Sequence, residues 1–135
     1  MKAMIVDDEG SIRKMLKDYL INLDVDEILE CKNGLEALNT IEGLAGERLS
    51  AIFLDLNMDG MDGLSFLQEY IEKSIYRDIP IFVITGDPSN DKIKTCFRHE
   101  IYCFVEKPFK FNQIRDCISI ARRIETADNI LAETL

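Results

Sequence analysis

The amino-acid sequence predicts an α/β fold: a doubly wound, five-stranded parallel sheet covered by five helices. Three observations predict it. Five short apolar runs alternate with five stretches of helical periodicity, and such alternation with short connections means parallel strands joined by right-handed crossovers. Four of the five runs stop close to a carboxylate, a hydroxyl or a lysine, on the rim where open parallel sheets bind ligands. At 135 residues the chain is one domain by size and too short to close an eight-stranded barrel.

Each element has its own warrant. β1 is expected over 2–6, a short apolar run that ends at Asp7-Asp8-Glu9. Ile12, Met15, Leu16, Tyr19 and Leu20 recur at three- and four-residue steps, which predicts α1 over 11–22 with Ser11 as its cap. β2, over 26–31, begins polar and suits a sheet edge. Asn33-Gly34 turns the chain into α2, whose stripe is Leu35, Ala37, Leu38, Ile41 and Leu44. β3 is expected over 50–55. A Gly-rich turn follows it, and Leu64, Phe66, Leu67, Tyr70 and Ile71 then make α3. β4, over 81–84, is the most hydrophobic run and reads as a central strand. Pro80 stands at its entrance and Thr85-Gly86 at its exit, and Asp87-Pro88-Ser89-Asn90 is turn chemistry. A short α4 over 90–98, β5 over 101–105 and α5 from 111 to 124 complete the order.

Composition narrows the function. A net charge of −9 argues against nucleic acid or an anionic membrane as a direct partner. The charge is uneven: residues 92–123 hold eight Lys or Arg against three acids, a net of +5, so the remainder sums to −14. That asymmetry fits one face for an acidic partner and another for a cation. The four cysteines, Cys31, Cys96, Cys103 and Cys117, have no CxxC spacing and read as reduced thiols in apolar surroundings. A single histidine, His99, excludes a multi-histidine metal site. With no signal-peptide pattern and no long apolar run, a cytoplasmic location is expected.

The chemistry lies just past the strand ends. β1 supplies Asp7 and Asp8, β3 supplies Asp55, β4 supplies Thr85, and β5 supplies Lys107 beyond Glu106. Taken singly, each has a plainer reading: a helix-terminal acidic cluster, a turn cap, a surface turn. Gathered on one rim, they fit one reaction. Three clustered carboxylates repel unless a cation sits among them, and hard oxygen ligands in an open site suit Mg²⁺, with Mn²⁺ as a substitute. A carboxylate beside such a cation can attack phosphorus. Lys107 and Thr85 would then balance and hydrogen-bond the transferring group. No GxxxxGK[ST] loop is present, so a nucleotide is not the evident donor.

The motifs IVDDE (Ile5 to Glu9), KNGLEAL (Lys32 to Leu38), FLDLNMDGMDG (Phe53 to Gly63), VITG (Val83 to Gly86) and FVEKPF (Phe104 to Phe109) together resemble a response-regulator receiver domain of two-component signalling. The likeness is to single-domain receivers of the chemotaxis-regulator kind. It covers about residues 2–124, leaving 125–135 as a helix extension or tail. It implies the flavodoxin-like strand order 2-1-3-4-5. It implies Asp55 as phosphoacceptor, Asp7 and Asp8 as holders of Mg²⁺ and the Asn57 main-chain carbonyl as a further ligand. Thr85 and Phe104 would be the switch pair and Lys107 the phosphate contact. Asn57 and Asp87, each two residues past a site residue, would tune hydrolysis. The implied partners are a histidine kinase or phosphotransfer protein, and a downstream target or second copy docking on the α4-β5-α5 face.

One departure matters. The family pattern has proline after Met58, where this chain has Asp59. Without the ring that pre-sets the turn, loop 58–62 is expected to be more mobile. Haloacid-dehalogenase-type phosphatases also pair an Asp nucleophile with Mg²⁺, but as DxD on their first strand, which is absent here. A phosphate-independent interaction module would have no need of Asp55, Thr85 and Lys107 together. An isolated receiver of a longer regulator fits the same residues.

Overall fold

A computed structural model describes residues 1–73, 79–87, 91–99 and 101–134. The elements are β1 (Lys2–Val6), α1 (Gly10–Asn22), β2 (Glu27–Cys31), α2 (Gly34–Gly43), β3 (Ala51–Asp55), α3 (Gly63–Glu72), β4 (Ile81–Thr85), α4 (Asp91–Phe97), β5 (Cys103–Glu106) and α5 (Phe111–Thr134). The strands form one parallel sheet in the order β2-β1-β3-β4-β5. The turn residues expected at 77–78 and 88–90 lie outside the described residues.

The sheet is buried on both faces, and the period-two alternation of its strands divides the core. Met4, Val6, Ile52, Leu54, Ile81 and Val83 face α2, α3 and α4, meeting Ala37, Leu38, Ile41, Phe66, Leu67, Ile93 and Cys96. Ala3, Ile5, Ala51, Phe53, Phe82 and Ile84 face α1 and α5, meeting Leu16, Leu20, Ile114, Cys117, Ile118 and Ala121. Phe53 and Phe82 stack at 5.4 Å between centroids on this second face, a geometry that adds to the area they bury.

Local chemistry departs from the sequence expectation in four places. Ser11 does not cap α1. The helix starts at Gly10 with Glu9 as N-cap and no side-chain cap bond, because the Asp7 carboxylate accepts the Glu9 N–H at 2.9 Å and turns the chain one residue earlier. Asn33 is more than a turn residue: it caps α2 by accepting the Glu36 N–H, while the Glu36 carboxylate accepts the Lys32 N–H, each at 2.9 Å. Leu35, counted in the apolar stripe of α2, is 55% exposed. The burying stripe is Gly34, Ala37, Leu38 and Ile41, and Leu35 sits two residues out of phase with Ala37. Finally, β5 begins at Cys103 rather than 101, although the Tyr102 N–H already bonds Ile81 O at 2.8 Å.

α5 runs ten residues past the boundary expected at 124. Its deeply buried side chains end at Ala121, and beyond that Asp128 pairs with Arg48 while Arg122 donates to the Leu23 carbonyl.

Candidate functional site

The parallel sheet brings the ends of β1, β3, β4 and β5 to one rim. Asp7 follows β1 and is almost fully buried. Four hydrogen bonds hold it. Its N–H donates to Cys31 O at 3.0 Å, its carboxylate accepts the Glu9 N–H and, at 3.0 Å, the Lys107 ammonium, and its carbonyl accepts from Arg13 at 2.8 Å. Asp8 is exposed. Asp55, the last residue of β3, is 3% exposed and accepts the Asn57 N–H on Oδ1 at 3.3 Å. Asp7, Asp8 and Asp55 each offer an oxygen, all within 4.8 Å of one another. Such a hard donor set with an exposed side fits a small divalent cation.

Lys107 reaches into this group from beyond β5. Its Nζ lies 3.0 Å from Asp7 Oδ2, 3.5 Å from Asp55 Oδ2 and 3.9 Å from Glu9 Oε1. The Lys107 N–H donates to Thr85 O at 2.7 Å, tying the end of β5 to that of β4, and the Lys107–Pro108 peptide is cis. Thr85 is fully buried, and its hydroxyl accepts the Asp87 N–H at 3.1 Å. Asn57 and Asp87 are exposed. Phe104 is 39% exposed and does not belong to either core cluster.

The electrostatics follow from three carboxylates sharing one nearby ammonium. Burial and then the Asp7 charge push the Asp55 carboxyl up to about 6, against the pull of Lys107 and the Asn57 N–H. Burial works against the Lys107 charge, but Asp7, Asp55 and Glu9 outweigh it and raise that ammonium above its ordinary range. An acid that holds its proton more tightly because it is buried, and then because a like charge stands beside it, is a common mark of a functional site.

The segment after Asp55 lacks proline and makes several hydrogen bonds to its surroundings. The Asp59 N–H donates to Asp8 Oδ2 at 3.2 Å. Met61 O accepts the Gly34 N–H at 2.8 Å, and the Gly63 N–H returns to Leu56 O at 3.2 Å. Asp62 caps α3 through the Ser65 N–H at 2.9 Å and pairs with Lys92 on α4 at 3.3 Å. A Cβ at Gly63 would meet the Asp55 carbonyl and come within 2.9 Å of Leu56 Cα, so glycine permits this return. Sequence reasoning missed Glu9, Arg13, the Asp59 N–H and the link from Asp62 to Lys92. Only Asp62 left a signal, as an N-cap residue type just ahead of a helical run.

The profile of the response regulator receiver domain matches residues 3–119. The chain belongs to this receiver family. The receiver is 26% identical over 120 residues to the chemotaxis protein CheY1 of Helicobacter pylori, spanning 89% of this chain and 95% of that protein. It is 30% identical over 117 residues to the sporulation initiation phosphotransferase F of Bacillus subtilis, spanning 87% and 90%. The solved structure of the chemotaxis response regulator CheY4 of Vibrio cholerae superposes with a TM-score of 0.78 at 27% identity, covering 89% of this receiver and 97% of that chain. Among the described residues no helix is long and apolar enough to cross a membrane.

Proposed function

We propose that this receiver is a phosphorylation-dependent switch. Asp55 accepts a phosphoryl group from a histidine kinase, a phosphotransfer protein or a small phosphodonor. The observation that carries the reading is the position of Asp55: buried at a strand end, within the carboxylate trio and 3.5 Å from Lys107. A carboxylate oxygen of Asp55 forms the new bond to phosphorus, and the donor leaves with the electron pair of the bond that breaks, giving an acyl phosphate. Lys107 balances the negative charge gathered on the transferring group, and the Thr85 hydroxyl would donate to one of its oxygens.

Asp7, Asp8, Asp55 and the Asn57 main-chain carbonyl would hold Mg²⁺, or Mn²⁺ in its place. The cation would neutralise the trio and draw the phosphoryl oxygens toward it. Asp7 is already held by four hydrogen bonds, which is what a ligand held by its surroundings needs. Asn57 and Asp87, both exposed, govern access of the hydrolytic water.

Phosphate on Asp55 draws Thr85 away from the Asp87 turn, and Phe104 turns inward from its exposed position. The α4-β5-α5 face then presents a different surface to a downstream protein or a second copy. This is a shift between two populations, bounded by how differently they hold the phosphoryl group. Tyr102 and Phe104 are exposed in and just before β5, and Lys94 and Arg98 are exposed in and just after α4. The folded unit would span residues 1–124, with 125–135 as a helix extension of α5 and no direct role in chemistry. The chain works in the cytoplasm on this reading.

Incubation with Mg²⁺ and acetyl phosphate or phosphoramidate, followed by intact mass, tests the core of the proposal. A gain of one phosphoryl group in the unsubstituted chain, lost in Asp55→Asn, is expected. No gain with any donor would favour a module that works without phosphate.

A further inference from the structure

The turn after Asp55 contains a donor that the family pattern does not supply. Asp59 stands where the pattern has proline, which has no N–H. Here the Asp59 N–H spans 51 positions to bond Asp8 Oδ2 at 3.2 Å. Asp8 needs such a contact more than its neighbours do. Asp7 is buried and makes four hydrogen bonds, one of them from Lys107, which also sits beside Asp55. Asp8 is exposed and belongs to the same trio of like charges. An exposed aspartate repelled by two others would turn its carboxylate toward solvent. A charge-assisted hydrogen bond from a main-chain donor opposes that and engages one oxygen, leaving the second for a cation.

We infer that Asp59 is a positioning residue for cation binding: its main-chain N–H holds Asp8 in the ligating arrangement, and its exposed carboxylate adds negative potential at the entrance. The inference rests on the reading of Asp7, Asp8 and Asp55 as the cation site and deepens it. The two contributions are separable. Asp59→Ala removes the charge and keeps the N–H; Asp59→Pro removes both. The loop can take either change locally, because its remaining anchors belong to other residues: Met61 to Gly34, Asp62 to Ser65 and Lys92, Gly63 to Leu56.

The test is calorimetric titration of MgCl₂ into the full chain at fixed ionic strength, with no phosphodonor present. Asp59→Ala is expected to weaken Mg²⁺ binding roughly threefold, the effect of one charge near the site in a watery setting. Asp59→Pro is expected to weaken it at least about tenfold, the low end for losing a partner that orients a metal ligand. Melting in EDTA shows whether the proline variant folds. Equal Mg²⁺ affinity in folded alanine and proline variants overturns the role of the N–H while leaving the cation site intact. Absence of Mg²⁺ binding by the unsubstituted chain overturns the site reading and this inference together. Amide spectroscopy gives a reading independent of the proline variant. The Asp59 N–H resonance is expected to move on Mg²⁺ saturation and to lose its hydrogen-bonded shift in Asp8→Ala. An Asp59 amide indifferent to Asp8→Ala overturns the inference.

Discussion

Asp55 is a residue that folding alone would not choose. It is 3% exposed, shares its surroundings with Asp7, and its carboxyl is pushed up to about 6 from an ordinary 3.8. A folded value above the unfolded one means the native state holds the proton more tightly. The group's contribution to stability is therefore present below about pH 4 and is lost as pH rises through about 6. A rise of this size corresponds to at most about 3 kcal/mol. Without a divalent cation, Asp55→Asn should thus stabilise the receiver at pH 8 by about 1–3 kcal/mol, or several degrees in melting temperature. At pH 4 the two proteins should melt nearly together. Thermal melts in EDTA across that range check this, and equal stability at pH 8 would show that Lys107 and the Asn57 N–H fully compensate the buried charge. The same cost gives a cation its purchase: what destabilises the empty trio is what Mg²⁺ would relieve. Residues of this kind were legible in the sequence because an aspartate at the end of an apolar strand contradicts its neighbours. The contacts that arrange them were not legible. The Asp59 and Gly34 N–H groups act through the main chain, and side-chain type says nothing of where a main-chain donor points.

At the scale of elements, the connection from β3 to α3 decides whether the site keeps its shape. It returns so closely on the strand end that Gly63 has no room for a Cβ. Gly63 also opens α3, directly after the Asp62 cap. Gly63→Ala must push the loop away from the Asp55 carbonyl. An overpacking cost of about 1–3 kcal/mol is expected, together with a marked loss of phosphoryl uptake, since the displaced atoms adjoin Asp55, the proposed acceptor. Chemical denaturation and intact-mass assays on the same sample measure both, and a variant with native stability and uptake would show the backbone can relax elsewhere. Asp62 extends this connection to α4 through Lys92, so the loop that follows the proposed acceptor also touches one edge of the proposed docking face. The strands and helices themselves were readable because their periods are simple: alternation splits the core into two faces, and three- and four-residue steps mark the helices. Helix phase was less readable. Leu35 belongs by hydropathy to the stripe of α2, yet Ala37 and Gly34 are the residues that pack. Small residues win where Phe66 and Met61 come close: a Cβ on Gly34 would lie 2.7 Å from Met61 Cγ.

For the molecule as a whole, charge is divided between two surfaces. The acidic trio lies on the rim, while residues 92–123, which hold most of α4, β5 and the first half of α5, carry +5 within a chain of −9. Lys94 and Arg98 are exposed, as are Tyr102 and Phe104, at 51% and 39%. Exposed basic and aromatic side chains in a segment of net +5 suit an acidic partner surface, including the acidic remainder of a second copy of this chain. Charges on such a rim act mainly through encounter and salt dependence. Reversal of both, Lys94→Glu with Arg98→Glu, should therefore weaken self-association of the phosphorylated receiver about fivefold or more at low salt, with the difference shrinking as salt rises past about 0.15 M. Sedimentation of the phosphorylated protein at two ionic strengths reads the effect. Phosphoryl uptake itself should be unchanged, because the ion pairs of the site, among the described residues, join Lys107 to Asp7, Glu9 and Asp55. Unaltered association with normal uptake would move the docking surface off this face and leave the phosphorylation chemistry standing.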